Sequence, residues 1–270
     1  MRNTLQIKNA ILIFIVCYVS FCLAPGYSAE KPRGTAAQPD TAKDQILRVG
    51  VQPNSPPLIF KQDQRIVGLD ADLAVALAAK MGKTPLFIEF PWKDMIPALL
   101  DKRIDIIMSG MSITKSRGVR IAFSDPYLIV GQNALVRGRD KNKYPDAAAV
   151  KNCAVRVGVE KGTTGDHFVQ QEFKYARKVN FESPDEAANA LVEGKISMLI
   201  HDLPVIWLLA SKKETEGVVP IPINLTKEWL AWGMRYDDVN LLKTVNTFLE
   251  TWKNDGRLNR TIKKWMPYAK

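Results

Sequence analysis

The sequence predicts an α/β protein made of two lobes of like build, and three observations carry that reading. From residue 48 onward, short apolar runs alternate with segments whose apolar residues fall at helical spacing, which implies a mostly parallel sheet covered by helices. The tetrapeptide Arg48-Val49-Gly50-Val51 returns letter for letter as Arg156-Val157-Gly158-Val159. Residues 98–108 also align without a gap on residues 190–200, and the runs before them, 85–90 and 177–182, keep the same offset of 92 residues. A four-letter match of small apolar residues is weak by itself. The same order with a second aligned block makes an internal repeat, and so two lobes, the natural inference.

The elements follow in order. Residues 1–29 read as a secretory signal, with Arg2 and Lys8 at the positive start, an apolar stretch over 10–23 and a small-residue exit over 24–29. The apolar stretch is short for a membrane span. Cys22 lacks a convincing lipobox, which disfavours a lipoprotein. Residues 30–45, polar with Pro, Gly and Ala, read as a flexible lead-in. Residues 48–51 form a first strand. Leu69, Leu73, Ala76, Leu77 and Met81 mark a helix, with Asp70 and Asp72 in its first turn, Lys80 in its last and Gly82 just past it, as the helix dipole and a left-handed C-terminal turn favour. A strand over 85–90, a helix over 94–100 and a strand over 104–108 come next. The second copy repeats them, and residues 203–211 and the last two segments, 239–255 and 258–265, read as helices.

Composition narrows the function. The 270 residues hold 38 basic and 28 acidic side chains, a net charge of +10, or +8 without Arg2 and Lys8. The basic residues are scattered among acidic ones, with no basic stripe and interleaved aromatics, so nucleic acid is not an expected partner. Of the 3 cysteines, Cys17 and Cys22 lie in the signal, leaving Cys153 alone and no internal disulfide. Without the signal about 225 residues remain, enough for two lobes with proper cores. No HExxH, P-loop, GxSxG or paired-cysteine pattern appears, and the histidines outside the signal are His167 and His201. Neither a metal nor a cofactor is expected.

The repeat also locates a site. Ser109-Gly110 corresponds to His201-Asp202, and residues 52–55 to residues 160–163. All four groups follow the carboxyl end of a predicted parallel strand, the edge where open α/β sheets bind ligands. After the strand at 104–108, a glycine turn rich in hydroxyls leads to Arg117, whose planar fork suits a carboxylate. If the lobes face each other, Gly110 and Arg117 lie on one wall of a cleft, and Asp202 and the Gly162-Thr163-Thr164-Gly165 turn on the other.

At these residues the chain resembles the type II periplasmic solute-binding proteins of the polar amino-acid family, the receptors of ABC importers. The matching stretches are residues 47–51, Pro56-Pro57, 67–73, 95–99, 104–114, 123–127, Gly162-Thr163-Thr164-Gly165, His201-Asp202, 254–258 and Lys264-Trp265. The resemblance implies two Rossmann-like lobes joined by two crossing strands near 128–134 and 225–229. Lobe one would be 46–131 plus 230–270, and lobe two 132–229. It also implies a periplasmic monomer that closes on a small zwitterionic solute by a hinge motion and is then read by an ABC permease in the membrane.

By the same resemblance Arg117 clamps the solute's α-carboxylate and Asp202 pairs with its α-ammonium. The competing role for Asp202 is an N-cap of the helix after it. Gly110 and Ser112 would offer a carbonyl, an N–H and a hydroxyl, with Met111 in the core. Thr163 and Thr164 would complete the carboxylate cradle. Trp92 would wall the pocket or fill the core, and His201 would contact the ligand or only fill the strand end. One departure stands out. Where the family carries an acidic or polar residue and then an aromatic lid, this chain has Gln52 and Ser55. Gln52 lacks the charge expected for a cationic side chain, which disfavours arginine and lysine and points to polar or neutral amino acids. Two other classes use the same outline. One is a dehydratase acting on prephenate- or arogenate-like acids, for which Glu228 and Lys227 would be the acid/base candidates. The other is a sensory receptor that never meets a transporter.

Overall fold

The computed structural model describes residues 45–267; the expected signal, 1–29, and the lead-in apart from Gln45 lie outside the described residues. β1 (Ile46–Val51) is an interior strand of the first sheet, and Leu47, Val49, Gly50 and Val51 are buried, as a parallel strand covered on both faces requires. The sheet order is β5 (Thr84–Glu89), β1, β6 (Ile106–Ile107), β15 (Gly233–Met234), β7 (Ala122–Phe123). The second sheet runs β11 (Arg177–Phe181), β10 (Arg156–Glu160), β12 (Met198–Asp202), β9 (Gln132–Arg137), β13 (Val218–Pro220). In each sheet the first three strands are parallel and the fourth is antiparallel to the third. The repeat of letters is thus a repeat of topology.

Helices cover both sheets. α1 (Leu69–Lys80) packs Leu69, Leu73 and Leu77 into the first core, with α8 (Val239–Asn254) and α9 (Arg257–Trp265) contributing Phe248, Leu249 and Leu258. α2 (Trp92–Leu100) buries Met95 and Leu99 against the other face. In the second lobe α4 (Ala147–Lys151) and α5 (Thr164–Glu172) lie over one core, α6 (Pro184–Val192) and α7 (Leu203–Lys212) over another. A small antiparallel sheet of β2 (Asn54–Ser55), β3 (Ile59–Gln62) and β4 (Arg65–Val67) follows β1. Between the two large sheets run β8 (Leu128–Val130) and β14 (Glu228–Leu230), paired antiparallel to each other. The α/β fold of two lobes joined by two crossing strands is the one expected.

The elements differ in detail from their sequence reading. The strand expected over 104–108 is regular only at Ile106 and Ile107. Its pairing still reaches further, since Asp105 N–H donates to Arg48 O and Met108 N–H to Gly50 O. The chain leaves the ladder early to make the turn at Gly110, whose φ of +64° suits glycine. α2 begins two residues before the expected start, so Trp92 sits in its first turn and not in a loop. Cys153 lies in the loop after α4 and is buried.

Candidate functional site

The carboxyl ends of β1, β6, β10 and β12 meet across one cleft. Its centre is a cavity of about 30 Å³, lined by Ser55, Trp92, Gly110, Ser112, Arg117, Thr163, Thr164, His201 and Asp202, together with Leu58, Ser109, Gln132, Glu160 and Val205. Nine of the ten residues named from the sequence therefore share one cavity. The tenth, Gln52, does not line it. Its Nε2 donates to Glu160 Oε1 at 2.9 Å, and Asn54 Nδ2 donates to the same oxygen at 3.0 Å. These bonds tie the loop after β1 to the end of β10 in the other lobe, so Gln52 is a bridge between lobes and not a rim residue. The charge missing at Gln52 is present across the cleft at Glu160.

Arg117 sits in α3 (Lys115–Gly118), a single turn capped by Thr114, whose Oγ1 accepts from Arg117 N–H at 3.2 Å. Its guanidinium donates from Nη1 to Ser112 O at 2.9 Å and lies 5.2 Å from the centre of the Trp92 ring. Trp92 Nε1 donates to Gly162 O at 3.0 Å, on the opposite wall. Trp92 is therefore a cleft residue that stacks on the guanidinium and spans the lobes. Burial lowers the pKa of Arg117 from its ordinary value, and the charges of Asp202 and Glu228 oppose that shift.

Asp202 occupies the N-cap position of α7, yet its side chain makes no cap bond. Its Oδ1 instead accepts from Gln132 Nε2 at 2.5 Å, inside the cleft. Burial pushes the carboxyl up to about 6. The capping role is thus excluded by geometry. The opposite holds for Thr163: its Oγ1 accepts from Asp166 N–H and donates to Glu160 O, so it serves α5 and the loop before it. Thr164 Oγ1 faces the cleft and accepts from Gln132 Nε2 at 3.2 Å. Its N–H belongs to the first turn of α5, which has no intrahelical partners.

Gly110 carries a correction. Its N–H, expected to face a ligand, donates to Asp70 Oδ2 at 2.6 Å, so only its carbonyl is left for one. Ser112 Oγ donates to Glu228 Oε2 at 2.8 Å, so that hydroxyl is engaged with the second crossing strand. Ser55 lines the cavity. His201 lies in the wall, its Nε2 on Glu160 Oε2 at 3.0 Å and its Nδ1 accepting from Asp202 N–H at 2.8 Å. Burial disfavours the imidazolium, but the Glu160 bond and the charges of Asp202, Glu160 and Glu228 outweigh it and raise the His201 pKa.

Sequence reasoning missed Asp70 and Gln132 as site residues, placed Glu160 at the binding edge without a role, and weighed Glu228 only as a catalytic candidate. Asp70 is fully buried under the Gly110 turn and also accepts from Trp232 Nε1 at 3.3 Å, while burial pushes its carboxyl up to about 6. A signal for it existed: Asp70 shares the stripe of Leu73 and Leu77, three and seven residues on, whereas Asp72 does not. Gln132 binds Thr164, Asp202 and, at 3.1 Å, Glu228 through one nitrogen. It lies at the start of β9, where no motif marks it. Among the described residues no group of three or more His, Cys, Asp or Glu is placed to hold a metal ion, and no helix is long and apolar enough to cross a membrane.

Two lobes on crossing strands, with an arginine and an aspartate facing one enclosed cavity, define the class of two-lobed solute-binding receptors. The family described as bacterial extracellular solute-binding proteins, family 3, matches residues 47–268, and the chain belongs to it. It is 30% identical over 227 residues to the ABC transporter arginine-binding protein 1 of Escherichia coli (strain K12), covering 82% of this chain and 90% of that protein. Among solved structures, the ancestral amino acid-binding protein AncCDT-1, a precursor of cyclohexadienyl dehydratase, shares 33% identity with a TM-score of 0.76, over 84% of this chain and 97% of the other. An ancestral arginine-binding protein bound to arginine shares 30% identity with a TM-score of 0.77, over 82% and 98%.

Proposed function

We propose that this chain, exported to the periplasm by its first 29 residues, captures an α-amino acid between its lobes as a monomer and presents it to an ABC permease. The observation that carries this reading is the meeting of Arg117 and Asp202 at one buried cavity. A zwitterion gives each of these desolvated charges a partner, which their burial demands. Arg117 would exchange its carbonyl acceptor for the α-carboxylate, helped by the N–H of Thr164. Asp202 would exchange Gln132 for the α-ammonium. A cavity of about 30 Å³ holds about two waters. Admission of an amino acid therefore requires the lobes to part and close again.

The side chain of the solute would face Glu160 and His201. Three carboxylates, Asp202, Glu160 and Glu228, meet one arginine and one histidine here, so an acidic side chain is disfavoured and a cationic or polar one suits the wall. Glu160 supplies the charge whose lack at Gln52 had argued against arginine, and the arginine-binding relatives make L-arginine the first solute to test. Glu228 accepts from Ser112, Gln132 and Thr226, which orients its carboxylate between the cleft wall and the crossing strands.

A thermal-shift screen of the twenty amino acids, led by L-arginine, tests the reading. A solute at 100 times its dissociation constant stabilises the fold by about 2.7 kcal/mol. No shift with any amino acid, or conversion of prephenate or arogenate by the pure protein, overturns it.

A further inference from the structure

A cavity of about 990 Å³ lies behind the cleft, against the other face of the crossing strands. Strand alternation separates the two: Glu228 points into the cleft, toward Ser112, while its neighbours Lys227 and Trp229 line the rear cavity. Ile129 of β8 joins them, Trp207 of α7 closes the second-lobe side, and Ile262 and Met266 close the first-lobe side. Ile129, Trp207 and Trp229 are 58%, 40% and 43% exposed. A soluble protein leaves such a grouped apolar surface where something binds. The volume falls within the roughly 300–1,000 Å³ of small-molecule sites. Among the described lining residues Lys227 alone is charged, and its Nζ stands 5.4 Å from the centre of the Trp229 ring.

We propose that this rear cavity is a second small-molecule site, for an amphipathic organic anion, and that its occupant holds the lobes closed and so raises the affinity of the cleft for its solute. The apolar body lies between Trp207, Trp229 and Ile129, and the anionic head meets Lys227. Coupling follows from geometry. β8 and β14 connect the lobes, with the cleft on one face and the rear cavity on the other, so a rotation that opens one narrows the other. The cleft is shut here by the bonds of Gln52 and Asn54 to Glu160, and in that state the rear cavity is wide. An occupant that fits this state and not the open one shifts the population toward it. The effect on affinity rests on the cleft being the solute site; the rear site itself does not.

The probe is 8-anilinonaphthalene-1-sulfonate, compared with the neutral N-phenyl-1-naphthylamine, on the full exported chain. The sulfonate is expected to bind at one equivalent per chain, at least tenfold tighter than the neutral amine. Lys227→Glu, at an exposed position, is expected to abolish that difference, and Trp207→Ala, which removes an apolar wall of the cavity, to weaken both probes. Saturating sulfonate is expected to shorten the distance between a label pair placed on the two rims of the cleft, one on each lobe, with no amino acid present, and to tighten L-arginine at least threefold. Sulfonate binding untouched by either substitution, equal affinity for the neutral amine, or an unchanged label distance overturns the proposal. Failure of L-arginine to bind counts against the cleft reading, and the label distance still decides this one.

Discussion

Arg117 is held by contacts that lie on both walls of the cleft: Ser112 O below its fork, the Trp92 ring beside it and the Gly162 carbonyl opposite. Removing it takes away a cation that Asp202 and Glu228 face, so Arg117→Ala is expected to weaken amino-acid binding by about 2–5 kcal/mol, beyond about thirtyfold, in a titration by calorimetry. Asp202 sets a pH limit. Its carboxyl titrates at about 6, so protonation below that pH removes the partner of the α-ammonium. Affinity is expected to hold steady above pH 6 and to fall by up to about tenfold per unit below it. Folding stability moves the other way. Asp70 and Asp202 both have folded values near 6, raised above the ordinary value by burial, so their contribution is complete below pH ~4 and is lost as pH rises through 6. Thermal melts are expected to rise as pH drops from 7 to 5, and Asp70→Asn is expected to flatten that rise. Arg117 was legible in the sequence because a motif surrounds it. Asp70 was read as a dipole partner because a carboxylate in a first helical turn has that bland explanation, and only the packed Gly110 turn above it shows otherwise.

At the scale of elements, the crossing strands matter most and are short. β8 and β14 have three residues each, below what hydrophobic alternation can announce. Their positions came from resemblance, whereas the repeated strands came from the residues themselves. Gly131, between β8 and β9, leaves no room for a side chain: a Cβ there would sit 2.2 Å from Thr226 O on the other crossing. Gly131→Ala is expected to push the crossings apart and to cost ~1–3 kcal/mol of stability, read from a denaturant titration. The same substitution is expected to disturb Gln132, whose N–H donates to Thr226 Oγ1 at 2.9 Å, and so to weaken binding as well. Helix starts, by contrast, rest on local contacts. Thr163 and Ser183 cap α5 and α6 with local hydrogen bonds that need no tertiary partner.

Over the whole molecule, closure is a balance of few contacts. Glu160 takes Gln52 and Asn54 from one lobe and His201 from its own, so one carboxylate links the walls. Glu160→Ala is expected to shift the chain toward the open form, seen as a larger radius of gyration in solution scattering without added solute. Cys153 packs in the second-lobe core, away from the cleft, and Cys153→Ser is expected to leave binding unchanged. The sequence by itself determined the two-lobed α/β plan, the repeat and the residues at the strand ends, because periodicity, caps and repeated motifs are local and survive without coordinates. Only the tertiary structure decided which groups are already engaged: that Gln52 bridges, that Gly110 N–H belongs to Asp70, that Asp202 faces Gln132, and that Glu160 supplies the wall's charge. Hydrogen-bond partners 40 or more residues apart leave no periodic trace, and burial, which raises or lowers each pKa here, is a property of the packed chain alone.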